Sequence, residues 1–219
     1  MRRLSRSSLR RATLILAKEH AIFGRVFDSY GFPPLWDREP GFTTLLQIIL
    51  EQQVSLASAK ACFDKLTIRL GDVTPETVLT LTDAELKTVG FSRQKSAYAR
   101  HLSAALINRH IDLDALDRLP DAEAKAILMS LKGVGEWTSD IYLLMALLRP
   151  DVMPKGDVAL HTAYHNLTGE PRPTSDEFLV IAEQWRPYRS VAARLLWHFY
   201  LEERKNGTRI TQDKRIGTD

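Results

Sequence analysis

Two short segments of this 219-residue chain carry residue types and spacings suited to chemistry. The first is Leu131-Lys132-Gly133-Val134-Gly135-Glu136, in which two glycines let the backbone turn tightly between an upstream apolar helix, Ala126 to Leu131, and a downstream one, Trp137 to Leu148. A turn so bare of side chains offers its N–H groups beside the unpaired donors and positive dipole end of the second helix. That combination suits an anion such as a nucleic-acid phosphate. The second segment is Met153-Pro154-Lys155-Gly156-Asp157, a Pro/Gly loop that delivers one carboxylate to the start of an apolar-periodic run through Val158, Leu160, Ala163, Tyr164 and Leu167. Taken alone, the first segment is also an ordinary interhelical turn, and Asp157 an ordinary helix N-cap. A cap and a chemical role are compatible, because donors at a helix start suit an anionic carboxylate. Beside a sugar, such a carboxylate can stabilise oxocarbenium charge and orient or deprotonate an attacking water.

The elements that must position these groups read as helices throughout. Apolar periodicity predicts helices over about 12–30, 42–53, 55–70, 75–81, 83–89, 93–109, 121–131, 136–148, 158–168, 175–185 and 188–205. Thr74 precedes Pro75 as a cap, Thr82 with Glu85 and Thr174 with Glu177 read as capping boxes, and Gly71, Gly90 and Gly169 stand where helices should stop. No period-2 strand and no internal repeat is found. An all-α fold of about ten helices is expected.

Composition narrows the class without identifying a function. A hydrophobic content of 44% is ample for a core, and no apolar run approaches the length needed to cross a bilayer. A soluble, cytoplasmic protein is expected. The net charge of +3 is unevenly spread: residues 1–11 and 204–219 together carry +8, so the body between them carries −5. Attraction to a polyanion must therefore come from local patches, helix ends and the two terminal segments. The start of the chain, with five arginines in eleven residues and no hydrophobic core after them, reads as a flexible basic tail. Cys62 is the single cysteine and reads as a small core residue, so neither an intrachain disulfide nor a four-cysteine iron-sulfur cluster is available.

The segments Leu131 to Thr138 and Met153 to Leu160 together resemble the helix-hairpin-helix, Gly/Pro-loop, Asp signature of the DNA glycosylase superfamily. The Trp137-Thr138 pair after the hairpin, the block Ile-Leu-Glu-Gln-Gln-Val-Ser-Leu-Ala within Gln47 to Ala59, and the block Trp185 to Trp197 resemble its 3-methyladenine DNA glycosylase II branch. The resemblance spans about residues 35 to 203. It implies two helical subdomains flanking a DNA-binding cleft, a middle one over about 43–150 and a second from about 12–42 plus 151–205. Residues 1–11 and 206–219 would be basic and polar tails. It also marks a departure, since longer bacterial relatives carry an N-terminal β-rich domain for which this chain has no length.

The resemblance further implies roles for particular residues. Asp157 would be the catalytic carboxylate. Trp137 and Trp197 would wall the pocket for the damaged base, with Tyr142 and Trp36 as weaker candidates, although a tryptophan on a helix is more commonly core. A cationic alkylated purine is drawn to an indole face. Gln53 would enter the duplex where the base has left it. Lys132, Gly133, Val134, Gly135 and Lys155 would meet the DNA backbone, and Ser92, Arg93 and Lys95 a second phosphate. The carbonyls of Met129, Leu131 and Val134 would hold a structural monovalent cation, with no other cofactor required. Members that also cut the backbone place a lysine just before the position of Thr138 as an amine nucleophile. Here that position is Trp137, so a monofunctional hydrolase acting on double-stranded damaged DNA as a monomer is expected. It would release alkylated purines such as 3-methyladenine and 7-methylguanine and leave an abasic site. The alternatives are a glycosylase for deaminated bases such as hypoxanthine or uracil, and a non-catalytic helix-hairpin-helix DNA-binding module.

Overall fold

Local capping chemistry sets most of the element boundaries. The computed structural model describes the backbone of residues 3–216 and the side chains of residues 3–206. Its helices are α1 (Arg6–Glu19), α2 (Ala21–Tyr30), α3 (Phe42–Glu51), α4 (Leu56–Leu70), α5 (Pro75–Thr80), α6 (Asp83–Thr88), α7 (Arg93–Ile107), α8 (Asp121–Met129), α9 (Glu136–Met145), α10 (Val158–Thr168), α11 (Ser175–Ala182) and α12 (Arg189–Ile216). There is no strand among the described residues. The capping boxes at Thr82 with Glu85 and Thr174 with Glu177 are formed, and Gly71 and Gly169 end α4 and α10 with positive φ.

The chain divides into two compact units. One runs over Asp37–Leu148 and holds α3 to α9. The other joins the chain up to Trp36 with the chain from Arg149, and holds α1, α2 and α10 to α12. In the first, α3 packs against α4, α7 and α9. Its apolar run explains this: Leu45, Leu46, Ile48 and Ile49 are all completely buried, so the helix is apolar around most of its circumference. In the second, α2 packs on α1 and α12, and α10 on α12. Its core is an aromatic cluster in which Trp185 lies edge-on to Phe23 at 5.2 Å and to Phe178 at 5.9 Å.

The amino-terminal segment differs from the expected flexible basic tail. Helix α1 already begins at Arg6, behind a capping box in which Ser5 and Ser8 satisfy each other's backbone N–H groups. Leu4, Leu9, Ala12 and Leu16 are buried. Arg6 in the first turn opposes the helix dipole, but that cost is small on an exposed surface, and burying these apolar side chains outweighs it. Residues 12–30 are not one helix either, because His20 is extended (φ −129°, ψ 113°) and separates α1 from α2. At the other end the expected polar tail over 206–219 is helical backbone as far as Ile216. The helix expected over 136–148 stops at Met145, and Leu148 takes a positive φ of 53°.

Candidate functional site

In the first unit, the turn between α8 and α9 has its geometry imposed from three sides. Gly133 has φ 88°, and a Cβ placed there would lie 2.2 Å from the ring of Tyr98, so only glycine fits. The Val134 N–H donates to the Leu131 carbonyl at 3.0 Å, and the Lys132 N–H donates to His101 Nδ1 at 3.3 Å. The Gln52 carboxamide nitrogen donates to both the Gly133 carbonyl and Thr138 Oγ1, each at 2.8 Å. The ammonium of Lys125 on α8 sits 2.7 Å from the buried carboxylate of Asp140 on α9 and ties the two helices together. Among the described residues, the amides of Gly133 and Gly135 have no hydrogen-bond acceptor.

These contacts redistribute the expected phosphate donors. Val134 is a core residue, 5% exposed, and its N–H closes the turn, so it has no donor left for DNA. The Lys132 amide is engaged by His101, while its side chain is exposed. Gly135 is exposed and is the N-cap of α9, where it offers no side-chain cap. Lys95, expected near a second phosphate, is turned to another use. Its ammonium donates to the Leu50 carbonyl at 2.6 Å and closes the end of α3, and partial burial pushes its pKa down. Ser92 caps α7 by accepting from the Lys95 N–H, and Arg93 is exposed.

Tyr142 does not belong to a base pocket. It is completely buried, its hydroxyl accepts the Gly41 N–H at 2.9 Å, and burial raises its pKa to about 12. The contiguous apolar stretch around it buries α9 on nearly every side, so the ring serves packing. Trp137, in the first turn of the same helix, is half-buried. Gln53 lies just past α3, is exposed, and takes the left-handed conformation with φ 56°. Val54 and Leu56 beside it are 45% and 62% exposed.

In the second unit, the loop leading to Asp157 is stapled to the start of α12. The Ser190 hydroxyl accepts from the Val152 N–H at 2.9 Å and donates to the Val152 carbonyl at 3.1 Å. Asp151 pairs with Arg189 at 2.9 Å and Arg186 at 2.7 Å. Val152, Met153 and Pro154 are buried, and Gly156 makes the last bend with φ 77°. Asp157 then caps α10: its Oδ1 accepts the Leu160 N–H at 3.0 Å and, from α12, the indole N–H of Trp197 at 3.2 Å. Asp157 is 8% exposed. Trp197 is also 8% exposed and lies edge-on to Trp36 at 6.3 Å. The Leu35 carbonyl before Trp36 is held by Arg194 Nε at 2.7 Å, which fixes that ring's loop against α12. Lys155 forms an ion pair with Asp176 of α11 at 3.0 Å.

One group beside Asp157 went unnoticed in the sequence. His161, one turn along α10, is buried against Phe178 with ring centroids 4.7 Å apart, and its Nε2 has no hydrogen-bond partner. Burial, with help from the Arg172 charge, lowers its pKa against the opposing pull of Asp157. Cys62, expected in the core, is only half-buried, and burial raises its thiol pKa. No group of three or more His, Cys, Asp or Glu among the described residues could hold a metal ion, and no described helix is long and apolar enough to cross a membrane.

Comparison with known proteins fits this geometry. A family model described as HhH-GPD superfamily base excision DNA repair protein matches residues 46–187. YfjP of Bacillus subtilis (strain 168) is 25% identical over 78% of this chain, and the match spans 63% of its own length. DNA-3-methyladenine glycosylase 1 of Schizosaccharomyces pombe is 29% identical over 73% of this chain and 72% of its own. The structure of the Schizosaccharomyces pombe 3-methyladenine DNA glycosylase Mag1 in complex with abasic DNA superposes with a TM-score of 0.79 at 26% identity. The match covers 85% of this chain and 95% of that one.

Proposed function

Because the chain belongs to the HhH-GPD superfamily of base excision DNA repair proteins, we propose that it is a monofunctional DNA glycosylase releasing alkylated purines from double-stranded DNA. The observation that carries this reading is the Asp157 carboxylate, buried yet held by one backbone N–H and one indole N–H at a helix start. A group fixed in this way is preorganised to meet positive charge without rearranging. The names of the relatives support the substrate class. Abasic DNA in the Mag1 structure supports the reaction type, since an abasic site is what glycosidic hydrolysis leaves whichever base is released.

The chemistry follows from these parts. The amides of Gly133 and Gly135 hold a backbone phosphate at the positive end of α9. The target nucleotide turns out of the stack, at a cost of a few kcal/mol, and Gln53 occupies the gap it leaves. Trp197, bonded to Asp157, receives the base, whose cationic ring is attracted to an indole face. The bond from the sugar C1′ to the base nitrogen breaks with its electron pair passing to the base, and a cationic purine thereby leaves neutral. Asp157 stabilises the oxocarbenium character at C1′ and takes a proton from water as the water oxygen bonds to that carbon. With Trp137 in place of a lysine, no amine nucleophile is available there, so the product is an abasic site in an unbroken strand.

We propose further that the turn holds a monovalent cation. The carbonyls of Met129 and Val134 accept no hydrogen bond from the described residues, and that of Leu131 accepts one and keeps a second lone pair. A cation held there would add positive charge beside the phosphate. Chromatographic identification of the bases freed from methylated DNA tests the proposal. Free 3-methyladenine or 7-methylguanine is the expected result, release from deaminated DNA alone would move the substrate class, and binding without release would leave a DNA-binding module.

A further inference from the structure

One side chain in the first unit has no role in the mechanism above, yet it connects two of the parts that do. Gln52 is the C-cap of α3, and both hydrogens of its carboxamide are committed, one to the Gly133 carbonyl and one to Thr138 Oγ1 at the start of α9, 81 and 86 residues away. Thr138 is buried, 2% exposed. The next residue, Gln53, is exposed in the left-handed conformation. A side-chain-bearing residue holds that conformation only when its surroundings stabilise it. Here they do so from two sides: Lys95 Nζ grips the Leu50 carbonyl at 2.6 Å, and Gln52 grips the hairpin.

We infer that Gln52 is a positioning residue that couples the Gln53 turn to the phosphate-binding hairpin, so that the two move and engage DNA as one. The inference rests on the roles proposed above for Gln53 and the hairpin. Its physical basis is the peptide between Gly133 and Val134. The carbonyl of that peptide is held by Gln52 and its N–H by the Leu131 carbonyl, so neither end can rotate without losing a bond. That peptide lies between the two glycine amides offered to the phosphate. A displacement of the hairpin on binding is therefore transmitted through one carboxamide to the backbone that aims Gln53. Without the Gln52 carboxamide the Gly133 carbonyl loses its donor, and the Gln53 turn loses its tether to the hairpin while the Lys95 contact to Leu50 remains.

A double-mutant cycle tests this, using Gln52→Ala, Gln53→Ala and the double variant of the full chain. The readouts are affinity for duplex DNA bearing a tetrahydrofuran abasic-site analogue and the single-turnover rate of base release from methylated duplex. Gln53→Ala should weaken each readout roughly tenfold in the wild-type background and no more than about twofold in the Gln52→Ala background, since coupled sites are non-additive. The same loss in both backgrounds would overturn the coupling. Should Gln52→Ala lower the unfolding temperature so far that it cannot be assayed, Gln52→Met, of similar volume but without donors, carries the same cycle. Wild-type protein that releases methylated bases while the cycle is additive would refute the coupling alone. Wild-type protein that neither binds the analogue nor releases a base would refute the proposed function, and the coupling with it.

Discussion

Replacing Trp197 by Phe separates two things that one indole does in this structure. The substitution keeps an aromatic face near Trp36 but removes the N–H that Asp157 Oδ1 accepts at 3.2 Å, together with the bulk of one buried ring. A hydrogen bond to a charged group contributes about 1.5–3 kcal/mol, and this one is longer than the ~2.7–2.9 Å of the strongest such bonds, so the lower end applies. At ~1.4 kcal/mol per decade of rate, a loss of ~1.5 kcal/mol is about tenfold. The loss stays moderate because the Leu160 N–H still holds the same oxygen and keeps the carboxylate at the start of α10. The assay is single-turnover release of 7-methylguanine from a methylated duplex with enzyme in excess, beside affinity for a duplex carrying an abasic-site analogue. The expected result is a rate near one tenth of wild type with affinity within about twofold. An unchanged rate, or a loss confined to affinity, would refute the idea that Trp197 positions the carboxylate.

Gly133→Ala should abolish tight DNA binding and destabilise the first unit by at least ~2 kcal/mol, since it combines a strained φ with a Cβ inside the Tyr98 ring. Fluorescence anisotropy and thermal unfolding read the two effects, and wild-type values for both would show that the turn is not constrained as described. Acidification should destabilise the protein through His161: its folded pKa lies below the ordinary value, so between the two the unfolded chain binds the extra proton. Stability should therefore fall as pH drops below about 6.5, and His161→Leu should flatten that part of the profile of unfolding temperature against pH. An equally steep profile in the variant would exclude His161 as a contributor. Borohydride added during turnover should trap no covalent protein–DNA adduct, whereas efficient trapping would reveal an amine nucleophile and overturn the monofunctional reading.

The parts of the fold that were legible in the sequence are those governed by local chemistry. Threonine caps paired with glutamate, and glycines placed to accept positive φ, act within a few residues, so they marked the ends of several helices. The turn at Gly133 and Gly135 and the cap at Asp157 were visible for the same reason. The start of α1 was not, because its capping box uses serine at both positions amid arginines that argue against a helix start. The complete burial of Tyr142 is not legible in its charged and polar neighbours at the start of α9, although the uninterrupted apolar run Ile141 to Leu144 is a signal for it. The bonds from Gln52 to Gly133 and from Trp197 to Asp157 join residues 81 and 40 positions apart, and no local pattern encodes such pairs. The adjacent glutamines Gln52 and Gln53 look alike in sequence, but α3 ends at Glu51 just before them, and the chain turns one into the structure and leaves the other exposed.

The most direct test is base release by Asp157→Asn, which keeps the shape and the cap acceptor but removes the negative charge. The account predicts that freed 3-methyladenine and 7-methylguanine fall by roughly a hundredfold or more while affinity for an abasic-site duplex stays within a few-fold. Release at the wild-type rate by a variant that still binds DNA would contradict it, because the reaction would then not depend on that carboxylate.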